Sequence, residues 1–146
     1  MPAAACKPPE RDVRRSEDTE GPEMPDMDVA LKDAMQIDGA IGAALVDRSS
    51  GMALGVAGGD RNFDLSVAAA ANTEVIRAKL RTMEMLGLRE NIEDVLITLD
   101  SQYHLIRPLT GRSGQGLFLY LALNKDRANL ALARHQLKRI ETTLDI

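Results

Sequence analysis

The stretch TGRSGQG at residues 110–116 is where backbone N–H groups could cradle a phosphate. A Walker loop closes with Lys followed by Ser or Thr, which hold the phosphates and Mg²⁺. Here Gly116 is followed by Leu117. The stretch also joins two strand patterns, so no helix N-terminus is offered to an anion, and it reads as a hairpin loop. GVAGGD at residues 55–60 lacks both the G-x-G-x-x-G spacing and the β-α-β context of a dinucleotide site. His104 and His135 are the only candidates for a histidine base. Neither is joined in the pattern by a Ser or Cys nucleophile with an orienting carboxylate, so both read as structural or surface residues. Cys6 is the single cysteine, which excludes an internal disulfide, and two isolated histidines do not complete a zinc set. Asp94 and Asp100 are expected as solvated strand ends. With no nucleophile, metal set or cofactor loop in view, the expectation is a binding protein without cofactor or metal, not an enzyme.

Composition supports that direction. A chain of 146 residues suits one domain with a real core. It is 45% hydrophobic but only 3% aromatic, so the core must be built from Leu, Ile, Val, Ala and Met. The net charge of −4 supplies no electrostatic footprint for nucleic acid or an anionic membrane. No apolar run approaches the ~18–20 residues that span a bilayer, and no signal-like segment opens the chain. A cytoplasmic, soluble protein is expected, with no nucleic acid partner and no membrane insertion.

The elements divide at about residue 25. Residues 1–25 hold Pro2, Pro8, Pro9, Pro22 and Pro25 among mixed charges, with too few apolar groups to offset ordering, and read as a disordered tail. A domain is expected over 26–146. Met27, Leu31, Ala34 and Met35 share a helical face, with Asp26 or Asp28 as N-cap and an end near Gly39. In AIGAALVD, Ile41, Ala43 and Leu45 are expected on one face and Ala40, Gly42, Ala44 and Val46 on the other, as in a central strand covered on both sides. Residues 47–51 supply a turn with Gly51 at positive φ, and Met52, Leu54 and Val56 form a returning strand in a buried hairpin.

The longest helical pattern runs from Asn62 to Leu86 with Leu65, Ala69, Ile76, Leu80 and Met83 on its core face. Glu74, Arg77, Arg81 and Glu84 line a polar face. A flank of Ala68, Ala71, Val75 and Ala78 is wider than one core contact needs and permits close approach of another helix, either in ordinary core packing or from a second copy. Three strands follow, in IEDVLITLD, YHLIRPL and LFLYLAL, with Pro108 expected near a strand end or bulge. Leu117, Leu119, Leu121 and Leu123 oppose Phe118, Tyr120 and Ala122 in the last, as befits a central strand. A final helix is expected from about Asp126, with Leu130, Ala133, Leu137, Ile140 and Leu144 at heptad-like spacing. The order is α-β-β-α-β-β-β-α, an α+β fold with helices on both faces of one antiparallel sheet.

That order, with the phrases IDGAIGAALVDRSSGMALGVAGG, HLIRPL and LFLYLALNKDRANLALARHQL, resembles the roadblock, or dynein light-chain-seven-like, family and its small bacterial members over residues 27–144. The resemblance implies a five-stranded sheet of profilin-like architecture, with the long helix on one face and the terminal helices on the other. It implies a homodimer in which the third strands pair and the second helices pack. The matching positions are Ala68, Ala71 and Val75 on the helix and Asp94, Leu96, Ile97 and Thr98 at the strand. It further implies a platform or regulator for a Ras-like small GTPase, with Arg77, Arg81 and Glu84 as partner contacts. The alternatives are a small-ligand sensor with a cavity between helix and sheet, and a structural adaptor indifferent to nucleotide.

Overall fold

A computed structural model describes residues 23–110 and 116–144. The tail expected at 1–25 lies outside the described residues as far as residue 22, and so do residues 111–115 of the expected loop. In chain order the elements are α1 (Glu23–Met35), β1 (Ala40–Asp47), β2 (Met52–Gly58), α2 (Leu65–Leu86), β3 (Val95–Thr98), β4 (Gln102–Pro108), β5 (Leu117–Asn124) and α3 (Leu130–Thr143). The expected order holds. Two starts differ: α1 begins at Glu23, which places Asp26 and Asp28 inside the helix and not at its cap. α3 begins at Leu130, because the Asn129 side chain accepts from the Leu132 N–H and caps the helix there, after a turn at residues 125–127.

The strands form one antiparallel sheet in the order β2-β1-β5-β4-β3. β5 sits at its centre, and its alternation sorts the core into two layers. Leu119, Leu121 and Leu123 pack with Leu31 and Ala34 of α1 and Leu137 and Ile140 of α3. Phe118, Tyr120 and Ala122 pack with Leu65, Ala69 and Ile76 of α2. A strand covered on both faces must be apolar on both, which is why this one reads as a continuous run. Pro108 closes β4, where a missing N–H costs little. Gly51 takes φ +78 at the turn, as its place in the hairpin requires.

The first hairpin departs from expectation twice. The β1–β5 register slips between Ala40 and Gly42, so the bulge at Ile41 sends that side chain to the α2 layer while Ala40 packs with the α1 layer. Strict alternation holds only from Gly42 onward. The hairpin is also not buried on its returning arm. β2 is an edge strand, and Met52, Leu54 and Val56 are 65%, 48% and 49% exposed. Apolar alternation marks a pleated surface, and it does not say which strand has a neighbour on each side.

Gly58 is where close packing meets backbone constraint. Its φ is +75, and a Cβ there would stand 2.7 Å from the Ile41 carbonyl oxygen and 2.5 Å from Met35 Cε. Gly87, which ends α2, has φ +71 but nothing within 4 Å of its virtual Cβ. Gly87→Ala should therefore cost about 1–2 kcal/mol of left-handed strain alone. Gly58→Ala should cost clearly more, because the bulge carbonyl must also move. Urea unfolding of both variants checks this, and equal losses would mean that the bulge yields freely.

Candidate functional site

No described residues assemble a catalytic constellation, and no three His, Cys, Asp or Glu side chains among them are placed to hold a metal ion. None of the described helices is long and apolar enough to cross a membrane. His104 is half-buried in a polar pair on the α2 side of the sheet. Its Nδ1 lies 3.2 Å from the Tyr120 hydroxyl and its Nε2 lies 2.7 Å from Gln102 Oε1. Its ring also stands edge-on to Tyr120 and Phe63. Burial pushes the His104 pKa below its ordinary value and raises that of Tyr120 to about 12, the latter opposed by a hydrogen bond with Asn72. Both therefore stay neutral near pH 7, and with both ring nitrogens engaged His104 is a satisfied structural histidine. His135 is exposed on α3.

The surface with unsatisfied apolar area is built on α2. Asp64 caps the helix by accepting from the Ser66 and Val67 N–H groups at 2.9 and 3.3 Å. Leu65, Ala69, Thr73, Ile76 and Met83 face the sheet, and Thr73 is buried because its hydroxyl donates to the Ala69 carbonyl. Leu80 is only half-buried. On the opposite flank Val67, Ala71, Val75, Ala78, Thr82 and Met85 follow one another at steps of three or four residues and are all exposed. Such a stripe is what a helix presents to a neighbouring helix. Ala68 is half-buried against the core and contributes less to this flank than its position in the sequence suggests.

α2 lies mainly over β1 and β2. The other end of the same face, formed by β3 and β4, is left more open. There Ile97 stands opposite His104, and both are half-buried. β3 is the second edge of the sheet, paired only with β4, and its four residues VLIT carry no charge. Leu96 turns to the α1–α3 layer and Thr98 is exposed. The stripe on α2 and the β3 edge are thus two adjoining places where the described residues of this layer stop without a neighbour.

Asp94, just before β3, is not a solvated strand end. Arg134 of α3 grips it through Nε and one terminal nitrogen, both at 2.9 Å, and Arg107 stands 3.9 Å away. Arg107 in turn donates from Nε to Glu141 Oε1 at 3.0 Å, with both side chains nearly fully buried. The second Glu141 oxygen accepts from the Thr110 N–H at 3.1 Å and hydroxyl at 2.7 Å. Sequence reading missed this network. Its signal was an arginine on an apolar strand and a glutamate on the face of α3 that also carries Leu137 and Ile140.

The three residues expected to touch a partner divide. Arg77 is occupied: one terminal nitrogen donates to the Arg48 and Ser49 carbonyls at 2.9 and 2.6 Å, the other to Glu74 at 2.9 Å. It pins the β1–β2 turn to α2, and the turn is tightened further by Asp47, whose carboxylate accepts from Ser49 and Ser50. Those bonds hold the Asp47 pKa below its ordinary value. Arg81 and Glu84 are exposed beside a shallow groove of about 520 Å³ that also meets Leu80 and Leu88. A cavity of about 670 Å³ opens next to it, between Arg48, Asn91, Ile92, Pro108 and Thr110. Leu80 of α2 also lines it, so it opens between that helix and the end of the sheet.

No protein-family model matches the sequence, and no curated protein is similar enough to count as a relative. Solved structures do match. A roadblock/LC7 domain from Streptomyces avermitilis superimposes with a TM-score of 0.68 at 16% identity, over 80% of this chain and 92% of that one. MglB of Myxococcus xanthus gives 0.65 at 20% identity, over 82% of each chain. The gliding protein MglB of Thermus thermophilus gives 0.69 at 17% identity, over 82% and 86%. At such identities the likeness is one of architecture. Sheet order, the split of the helices between its faces and these superpositions agree that the chain has the roadblock fold.

Proposed function

We propose that this protein is a non-enzymatic homodimer that serves as a platform for a Ras-like small GTPase. The observation that carries the reading is the exposed stripe Val67, Ala71, Val75, Ala78 and Met85 on α2, on the same layer as the uncharged edge of β3. Small side chains let two helices approach closely, and an open strand edge offers a ladder to an identical edge. Ala71 and Val75 with Leu96, Ile97 and Thr98 form the centre of this contact. Ala68 lies at its inner margin, and Asp94 anchors β3 from within the chain. The fold likeness supports the same arrangement.

The GTPase would rest on the exposed side of α2 beyond the stripe, with Arg81 and Glu84 as direct contacts. Arg77 contributes by fixing the β1–β2 turn alongside them. A platform of this kind alters nucleotide turnover by ordering the partner's switch segments, not by supplying a reacting group. Affinity capture from native lysate, run in parallel with GDP and a non-hydrolysable GTP analogue, tests it. A small GTPase should be retained preferentially in one nucleotide state, and retention should fall at least several-fold with Arg81→Ala and Glu84→Ala together. A partner held equally in both states would make the protein an adaptor. No retained protein, with a thermal upshift on a metabolite panel, would assign the 670 Å³ cavity a ligand and displace the GTPase reading.

A further inference from the structure

The open end of the α2 layer holds a histidine whose bonds leave no room for a second proton. We infer that protons oppose dimer formation: the α2 helices of two copies, meeting stripe to stripe, close over His104 in its neutral form, so the pair forms near neutrality and separates in mild acid. This rests on the pairing proposed above, in which the second copy roofs the stretch of β3 and β4 that α2 of the same chain leaves open. There His104 stands half-buried between Ile97 of β3 and Ala122 of β5.

Its hydrogen bonds fix the tautomer. Gln102 Oε1 is a carbonyl oxygen and can only accept, so Nε2 carries the ring proton. Nδ1 is then the acceptor, and the Tyr120 hydroxyl donates to it. The Asn72 amide, which donates to the Ala68 carbonyl at 2.8 Å, also lowers the Tyr120 pKa and so acts as a donor to that hydroxyl. The bonds therefore run one way, from Asn72 through Tyr120 and His104 to Gln102. A proton added at Nδ1 reverses the middle of this chain. The Tyr120 hydroxyl would then accept from both Asn72 and His104, and its own proton would have no acceptor among the described residues. Tyr120 is 1% exposed, so water can relieve that loss only through the open side of His104. A second copy shuts this side.

No neighbouring charge favours the imidazolium. Tyr120 faces the ring from β5, Ile97 from β3, and Phe63 from just before α2. Of these only Tyr120 titrates, and burial has raised it to about 12. On the side of α2 that carries Ala68 and Asn72 the one charged residue is Lys79, a cation, and the stripe of the second copy is uncharged. The carboxylates before β3 are drawn to α3, Glu93 by Lys138 and Asp94 by Arg134, while Asp100 is exposed past its end. Burial already pushes His104 below its ordinary value, and closure pushes it further. A ring held neutral on association supports the pair fully above its value in the single chain, and that support is lost as pH falls through it. Twofold symmetry doubles the effect.

Sedimentation equilibrium of the full chain at about pH 7.5 and about pH 5 reads it, because ordinary carboxylates stay ionised throughout that range. The wild-type dissociation constant should be at least about tenfold larger in acid. For His104→Gln it should be equal at the two pH values, whatever its absolute size. NMR titration gives a second reading that needs no variant, since the chain has only two histidines. His104 should titrate lower in a concentrated sample than in one diluted below the dissociation constant, while the exposed His135 keeps one value in both. A wild-type dimer of equal affinity at both pH values, or a His104→Gln dimer as acid-sensitive as wild type, would overturn the inference and leave the dimer standing. A chain that is monomeric at both would overturn the dimer with it.

Discussion

Glu141→Ala should destabilise the protein by about 3–5 kcal/mol, because it removes the hydrogen-bonded carboxylate from the buried Arg107 guanidinium and leaves it only Asp94 at 3.9 Å, a charge already engaged by Arg134. For a domain of this size the melting temperature should fall by roughly 10–20 °C. Three hydrogen bonds go at once, two of them from Thr110, so the start of the β4–β5 connection loosens as well. Arg107→Met with Glu141→Leu, which removes both charges, should recover most of the loss, since the desolvation cost disappears together with the attraction. Calorimetry on the two variants decides the matter. A loss below about 1 kcal/mol for Glu141→Ala would show that water reaches Arg107 freely.

The same carboxylate gives stability a pH dependence. Burial alone would raise the Glu141 pKa, but the bonds from Thr110 and Arg107 outweigh it and hold the carboxyl below its ordinary value. A carboxylate depressed on folding stabilises fully above its unfolded pKa, about 4.5 for Glu, and loses that contribution as pH falls through the lower, folded value. Stability should therefore be flat in this respect near neutrality and decline in the acid range. Glu141→Gln should lack that part of the decline.

The second large effect concerns assembly. Ala71→Glu with Val75→Glu places like charges on the α2 stripe of both copies, close to a twofold axis. Like-charge juxtaposition in a contact costs several kcal/mol, so dimer affinity should drop at least about 100-fold. Both residues are exposed in the single chain, so thermal stability measured below the dimer dissociation constant should change by no more than about 0.5 kcal/mol. Sedimentation equilibrium reads the affinity. A wild-type protein that is monomeric at tens of micromolar, or a double variant that dimerises unchanged, would remove α2 from the interface.

These predictions draw on different layers of legibility. The α2 stripe could be read in advance, because exposure on a helix follows a fixed angular step and Ala71, Val75 and Ala78 keep it. The bonds that occupy Arg77 could not be read in advance, since their acceptors, the carbonyls of residues 48 and 49, belong to a turn on a different element. The Asp94 reading failed for the same reason. Its charge is matched by Arg134, 40 residues away, and nothing local signals that pairing.

By itself the sequence determined the element order, the two-layer core and the central place of β5. Local rules suffice for these: period 2 in Leu117–Leu123, helical period in α2 and α3, glycines where the chain must turn. Only the tertiary structure decided that β2 and β3 are the edges, that bulges at Ile41 and Leu54 reset the alternation, and that Arg107 and Glu141 meet in the interior. Each depends on which segment lies beside another across long stretches of chain. A periodic pattern states how many faces are apolar, while neighbours in space decide what covers them.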